Sequence, residues 1–300
     1  MNHGLSISDI KGKEPMYNYF FEFANILMKI ESEFEVKINK ESFPFLKKDK
    51  NEYDIKIRFI PTESIESVAS ENLWIEDKLY TYQENVPVTY VRNYPGEPPY
   101  ALIRYHFETI EIFYLKESEN YVSSTHSILN LIGLEKILLD QTAILLHSSL
   151  IEYQGHGILF SAPCGVGKST QANLWEKYKN SEILNGDRAG LRWNQKEWMA
   201  YGMPFAGTSG IYKNVSVPIT AIVILEQNNE NKIRRFTPME AIRKLLPECS
   251  CRRWDNDFMN QLFDLLIVLV QKVPVYLLQC RPDEEAVEVL YNTLQQEELL

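Results

Sequence analysis

The residues 162–169 read Ala162-Pro163-Cys164-Gly165-Val166-Gly167-Lys168-Ser169, with Thr170 next. Against the pattern G-x-x-x-x-G-K-[ST] only the first position departs, alanine standing for glycine. The chemistry of such a loop is phosphate binding. Backbone N–H groups wrap the anion, the lysine neutralises the β and γ oxygens, and the hydroxyl after it ligates Mg²⁺. Pro163, Cys164, Gly165, Val166, Gly167, Lys168, Ser169 and Thr170 are therefore the candidate nucleotide-binding residues, and Lys168 also faces the transferred group. A lysine directly after Gly-Val-Gly at a helix start has a specific reason to be there that a solvated surface lysine lacks. Cys164 admits two readings, a thiol activated by the helix N-terminus or a passive loop residue.

Phosphoryl transfer also requires a carboxylate near the metal or the nucleophile, usually presented at the end of a neighbouring strand. Asp187 follows Glu182-Ile183-Leu184-Asn185-Gly186, and Glu226 closes Ala221-Ile222-Val223-Ile224-Leu225. The plain alternatives are a turn aspartate after Asn-Gly and a strand-end carboxylate facing water. In the functional reading Ser169 and Asp187 hold Mg²⁺, Asp187 takes the acceptor's proton, and Arg188 adds positive charge. Residues 201–212, rich in glycine and hydroxyls, form either a loop over the acceptor or nucleotide, or an ordinary connector.

These residues need strand, loop, helix and strand in that order to be brought together. The apolar run 156–161 leads into the loop, 168–179 has a helical pattern, and 182–185 reads as a strand. Residues 143–152 form a preceding strand, joined to 156–161 by a tight connection at Gln154-Gly155. Further strands are expected at 189–193, 198–201, 220–226 and 275–279. Helices are expected from the cap Thr237-Pro238-Met239-Glu240, over 255–272, and from Asp283. Residues 124–141 are dense in Ile and Leu and read as one buried helix joining two domains. Before them, period-two runs at 53–60, 100–106 and 108–114 indicate a β-rich region.

The organisation expected is thus a β-rich N-terminal domain, 1–125, for substrate or partner recognition or for oligomerisation as a homo-oligomer, and a catalytic domain, 126–300, with a mixed sheet and flanking helices. The fold class is α/β with α+β mixing. The 300 residues, 45% hydrophobic and 24% charged, are enough for one large core or two moderate ones. A net charge of −10 argues against general affinity for nucleic acid or an anionic membrane. The longest apolar run, 262–270, is interrupted by Asp264 and falls short of a membrane span. Residues 1–13 lack the apolar run of a secretory signal, so a cytoplasmic location is expected. Cys164, Cys249, Cys251 and Cys280 lack the pairing a zinc site needs and read as free thiols.

From His147 to about residue 290 the chain resembles the catalytic domain of HPr kinase/phosphorylase and its relatives of the PEP-carboxykinase-like fold. The matching pieces are His147-Ser148-Ser149-Leu150-Ile151, the loop 162–169, Ile183-Leu184-Asn185-Gly186-Asp187-Arg188, and Val273-Pro274-Val275-Tyr276 with Arg281-Pro282-Asp283-Glu284-Glu285-Ala286. The resemblance implies an orienting or electrostatic role beside the phosphates for His147, which otherwise reads as a buried strand histidine. It also implies an acidic pair where this chain has Gly186-Asp187, so Asp187 serves alone or another acid such as Glu226 assists. The function expected is an ATP-dependent, Mg²⁺-requiring kinase that phosphorylates a hydroxyl, the serine of a peptide, a protein or a small molecule. The alternatives are a nucleotide-sensing module and an ATP-hydrolysing switch, since the cradle binds phosphates alike in all three.

Overall fold

The computed structural model describes residues 16–48, 52–66, 74–75, 78–83 and 86–300, so the reading of 1–13 lies outside the described residues. It is a mixed α/β protein with two mixed sheets. The chain divides into two compact units, one on the chain up to Ile132, the other on Gly133–Leu300 together with Phe23–Ile26 and Glu41–Phe45.

The first unit holds a nine-stranded sheet in the order β3-β1-β2-β4-β9-β8-β7-β6-β5. Its strands are β1 (Tyr17–Phe23), β2 (Ile26–Ser32), β3 (Leu46–Lys47), β4 (Ile55–Thr62), β5 (Trp74–Ile75), β6 (Lys78–Gln83), β7 (Val86–Val91), β8 (Ala101–Tyr105) and β9 (Thr109–Leu115). Alternation decides their faces: Ile55, Ile57 and Phe59 are buried, while Arg58 between them is exposed. Phe34, Phe59 and Tyr114 meet edge to face within 5.2–6.3 Å. The unit continues into α1 (Glu119–Val122) and α2 (Thr125–Leu131).

Here one expectation is corrected. The single helix over 124–141 is two, α2 and α3 (Leu134–Asp140), separated at Gly133 with φ of +63°. The space a side chain would need there is taken by Arg252, whose Nη2 would lie 1.8 Å from a Cβ and whose Nε donates to Glu135 at 2.8 Å. Both halves bury most of their Ile and Leu residues, which is why composition alone reads as one helix.

The second unit is built around two long strands, β10 (Ala143–Tyr153) and β15 (Ser216–Gln227). With β11 (His156–Ser161), β12 (Glu182–Asn185), β13 (Arg188–Trp193), β14 (Trp198–Gly202), β16 (Lys232–Arg235) and β17 (Val275–Cys280) they form an eight-stranded sheet ordered β11-β10-β13-β14-β15-β17-β16, with β12 on β10. A further pairing of β11 with β15, parallel, curls the sheet back on itself. The Gln154-Gly155 connection has φ of +51° and +87°, a two-residue reversal.

Alternation along the strands splits the core in two. Leu159, Ile222 and Ile224 face a cluster with α3, α5 (Pro238–Leu245) and α6 (Asn256–Lys272). Ile158, Phe160, Ala221 and Val223 face the other, with Trp175 of α4 (Lys168–Lys179) and Leu290 of α7 (Glu284–Gln296). β11 and β15 are therefore buried on both faces, as their unbroken apolar runs require. Among the described residues no helix is long and apolar enough to cross a membrane.

Candidate active site at the phosphate loop

The loop leaves the C-terminal end of β11 and enters α4 at Lys168. Ala162, at the position where the pattern has glycine, is fully buried in the α4 side of the core, where a small residue fits. Gly165 and Gly167 have φ of +81° and +126°, and no heavy atom lies within 4 Å of where their side chains would be. The cradle is thus an open backbone surface at a helix N-terminus without a side-chain cap, where N–H groups await an acceptor. Ser169 is half-buried in the first helical turn, and Thr170 is exposed.

Lys168 is the unusual cation. Its side chain is folded onto the loop, with Nζ donating to Ala162 O at 2.7 Å and to Pro163 O at 3.3 Å. Burial lowers its pKa from the usual lysine value, opposed by the negative potential of Glu248, Cys164 and Asp187. An ammonium resting on two neutral carbonyls is one that a phosphate can recruit.

Strand register brings His147 to this place. In β10, Ser148 lies opposite Ser161 of β11, and His147 opposite Arg188 of β13. His147 therefore stands between the start of the loop and the turn carrying Asp187. Ser161 Oγ donates to His147 O at 2.8 Å, and Ser148 N donates to Asp187 O at 2.9 Å. The His147 ring reaches two carboxylates, with Nε2 3.7 Å from Asp187 Oδ1 and Nδ1 3.1 Å from Glu248 Oε2.

Glu248 is the residue that sequence reasoning missed. It ends a 3₁₀ turn, Leu246–Glu248, after α5, and the chain then pairs with β10 through Cys249 beside Leu146 and through Ser250 N donating to Leu145 O at 2.9 Å. Nothing in Leu246-Pro247-Glu248-Cys249 signals this. The carboxylate is 101 residues from the histidine it meets. Glu226, the acid considered from sequence, has no hydrogen bond or ion pair to His147 or Asp187. It accepts from Gln279 Nε2 at 2.7 Å, and lines a cavity of about 540 Å³ beside the loop, with Pro163, Val166, Arg243 and Glu248 on other walls.

The Asp187 turn is held by a buried amide. Asn185 Oδ1 accepts from the N–H groups of Asp187 (3.0 Å) and Arg188 (2.9 Å), while its Nδ2 donates to Met203 O (2.7 Å) and Phe205 O (3.2 Å). One side chain thus fixes both the acid and the segment 201–212. Gly207 lies against Asp187, and the Arg188 guanidinium sits 5.1 Å over the Phe205 ring. That segment is therefore next to the acid, with Gly207 and Thr208 exposed.

All four cysteines are free, Cys164 exposed in the loop and Cys249 buried, where desolvation pushes its thiol pKa up. Among the described residues no group of three or more His, Cys, Asp or Glu is arranged to hold a metal ion.

A family model described as "ScmC: SynChlorMet cassette protein ScmC" matches residues 117–283, more than half of the chain and the whole stretch that carries His147, the loop, Asp187 and Glu248. The chain belongs to this family. Among solved structures, the Hpr(Ser) kinase/phosphatase from Coxiella burnetii is similar over 51% of this chain and 94% of its own, at 10% identity and a TM-score of 0.31, a likeness that carries no argument about the site. No curated protein matches the chain.

Proposed function

We propose that this protein is a Mg-ATP-dependent phosphotransferase that moves the γ-phosphoryl group to a hydroxyl, the serine of a peptide, a protein or a small molecule. The observation that carries the reading is the Lys168 ammonium folded into an open backbone cradle, within the negative potential of Glu248, Cys164 and Asp187, with the Asp187 carboxylate 3.7 Å from the His147 imidazole. The motif resemblance to HPr kinase/phosphorylase supports the same chemistry.

In this reading the backbone N–H groups of residues 164–170 and Lys168 hold the phosphates, Lys168 leaving its carbonyl partners for the β and γ oxygens. Ser169 and Asp187 supply the hard oxygen donors that Mg²⁺ prefers, and phosphates and water complete its shell. When bound, Mg²⁺ neutralises charge developing on the phosphoryl oxygens. Arg188 adds positive charge beside Asp187, and residues 201–212 border the acceptor. The unit formed by residues up to about 125 serves recognition of the acceptor or assembly into a homo-oligomer.

The test is transfer of labelled γ-phosphate from Mg-ATP to free serine and serine-containing peptides, with Lys168→Ala as control. Label on an acceptor that disappears in the variant is the expected result. Nucleotide binding with no labelled acceptor overturns the kinase reading in favour of a nucleotide sensor, or, where free phosphate is released, of an ATP-hydrolysing switch.

A further inference from the structure

The site as read from sequence has one acid for two duties, since Asp187 is asked both to hold the metal and to take the acceptor's proton. The structure supplies a second carboxylate. Resting on the phosphotransferase reading, we infer that Glu248 is a positioning residue that fixes His147 so that its Nε2, with a lone pair, receives the acceptor's proton, which leaves Asp187 to the metal alone.

The geometry carries this in three steps. Glu248 Oε2 lies 3.1 Å from His147 Nδ1, within hydrogen-bond reach, and an ionised carboxylate can only accept. The proton of a neutral imidazole is therefore on Nδ1, and Nε2 is the acceptor. Nε2 faces Asp187, but at 3.7 Å from Oδ1 it is beyond hydrogen-bond distance, so its lone pair is available on the side where the loop and Asp187 converge.

Glu248 itself is anchored. Its side chain is 11% exposed, and its backbone is clamped to β10 on the C-terminal side by the pairing of Cys249 with Leu146 and the Ser250-to-Leu145 hydrogen bond. Because His147 is on the same strand one residue further along, histidine and carboxylate are fixed to a common support. This is the base-plus-orienter arrangement that nucleophile activation requires.

The step balances with ATP and the hydroxyl acceptor alone. The acceptor O–H bond breaks and its proton goes to Nε2. The oxygen forms a bond to the γ-phosphorus, the bond from that phosphorus to the β–γ bridging oxygen breaks, and ADP leaves with the electron pair. His147 then returns the proton to solvent.

Two measurements test this. The first is the ¹⁵N spectrum of histidine-labelled full-length protein without nucleotide, which reports the tautomer of His147 directly. An Nδ1–H tautomer in the wild type, lost in Glu248→Gln, is expected; an Nε2–H tautomer in the wild type overturns the inference, whatever the variant does. The second is kinetics with Mg-ATP and serine peptides. Glu248→Gln lowers kcat by about 100-fold or more, the scale of a positioned general base, with KM for ATP within about threefold of wild type, and Glu248→Asp restores part of the loss. A Glu248→Gln enzyme with wild-type kcat overturns the inference. Absence of transfer in the wild type itself overturns the phosphotransferase reading instead, and the tautomer measurement still decides the orientation.

Discussion

On the proposed reading Lys168 serves nucleotide binding and Asp187 serves transfer, and their variants separate the two. Lys168→Ala would remove the charge-assisted hydrogen bonds proposed to the phosphates, together about 3 kcal/mol, so nucleotide affinity measured by calorimetry is expected to drop on the order of 100-fold. Asp187→Asn keeps the Asn185-braced turn, because the bonds that shape it come from backbone N–H groups rather than the carboxylate. Nucleotide binding is then retained while labelled transfer is lost; transfer at the wild-type rate would remove Asp187 from the mechanism. Asn185 is the residue whose role is least visible in sequence, a fully buried amide with each of its ends engaged twice.

At the level of elements, α5 and the break at Gly133 set up the Glu248 side of the site. The first turn of α5 is capped by Glu240, whose carboxylate accepts from Thr237 N at 2.9 Å and from the Thr237 hydroxyl at 3.0 Å. The Thr237 N–H, with the Arg234 guanidinium and the Thr237 hydroxyl, holds the Glu240 pKa down at about 2 against an ordinary 4.5. A depressed folded-state pKa means that this stabilisation is complete above about pH 4.5 and is lost as the pH falls from there toward 2. Melting temperatures of wild type and Glu240→Gln should therefore differ at pH 6 and converge near pH 2. Gly133→Ala puts a Cβ into Arg252 at a left-handed position, and chemical denaturation should show a loss of about 2 kcal/mol or more. A neutral substitution there would mean that Arg252 swings away at no cost to its pair with Glu135.

On the scale of the whole molecule, the acidic total charge and the local cation at Lys168 belong together. A net charge of −10 argues against broad attraction of polyanions, and on the proposed reading phosphate affinity is confined to the cradle, where backbone dipoles and one buried ammonium oppose the field. The second compact unit also recruits residues from far upstream. Asn25 Nδ2 donates to Tyr201 Oη at 3.1 Å, Arg192 Nη1 donates to the carbonyls of Ala24 (2.9 Å) and Asn25 (3.0 Å), and Phe23 and Phe45 pack at 5.3 Å. A fragment starting at residue 126 lacks all of these. Its melting temperature should fall several degrees below that of the full chain in calorimetry, and equal melting temperatures would show that these upstream segments are dispensable.

By itself the sequence determined what is local. The loop and its lysine follow from eight consecutive residues. The strands and helices from 143 to 290 follow from apolar periodicity and caps, as with Asp255 capping α6 and Asp283 capping α7. What it could not contain is register and the approach of distant segments. A shared helix-like composition hid the break at Gly133, because the cause is an arginine over a hundred residues away. Asp187 was legible as a strand-end acid, and His147 through the resemblance, but their meeting depends on the pairing of β10 with β11 and β13. Glu248 was legible in no way, since an isolated glutamate after Leu-Pro carries no signal until β10 draws its neighbours Cys249 and Ser250 into line. Short-range backbone preferences are written residue by residue, whereas a carboxylate reaches its histidine only after hydrophobic burial has selected which strands lie side by side.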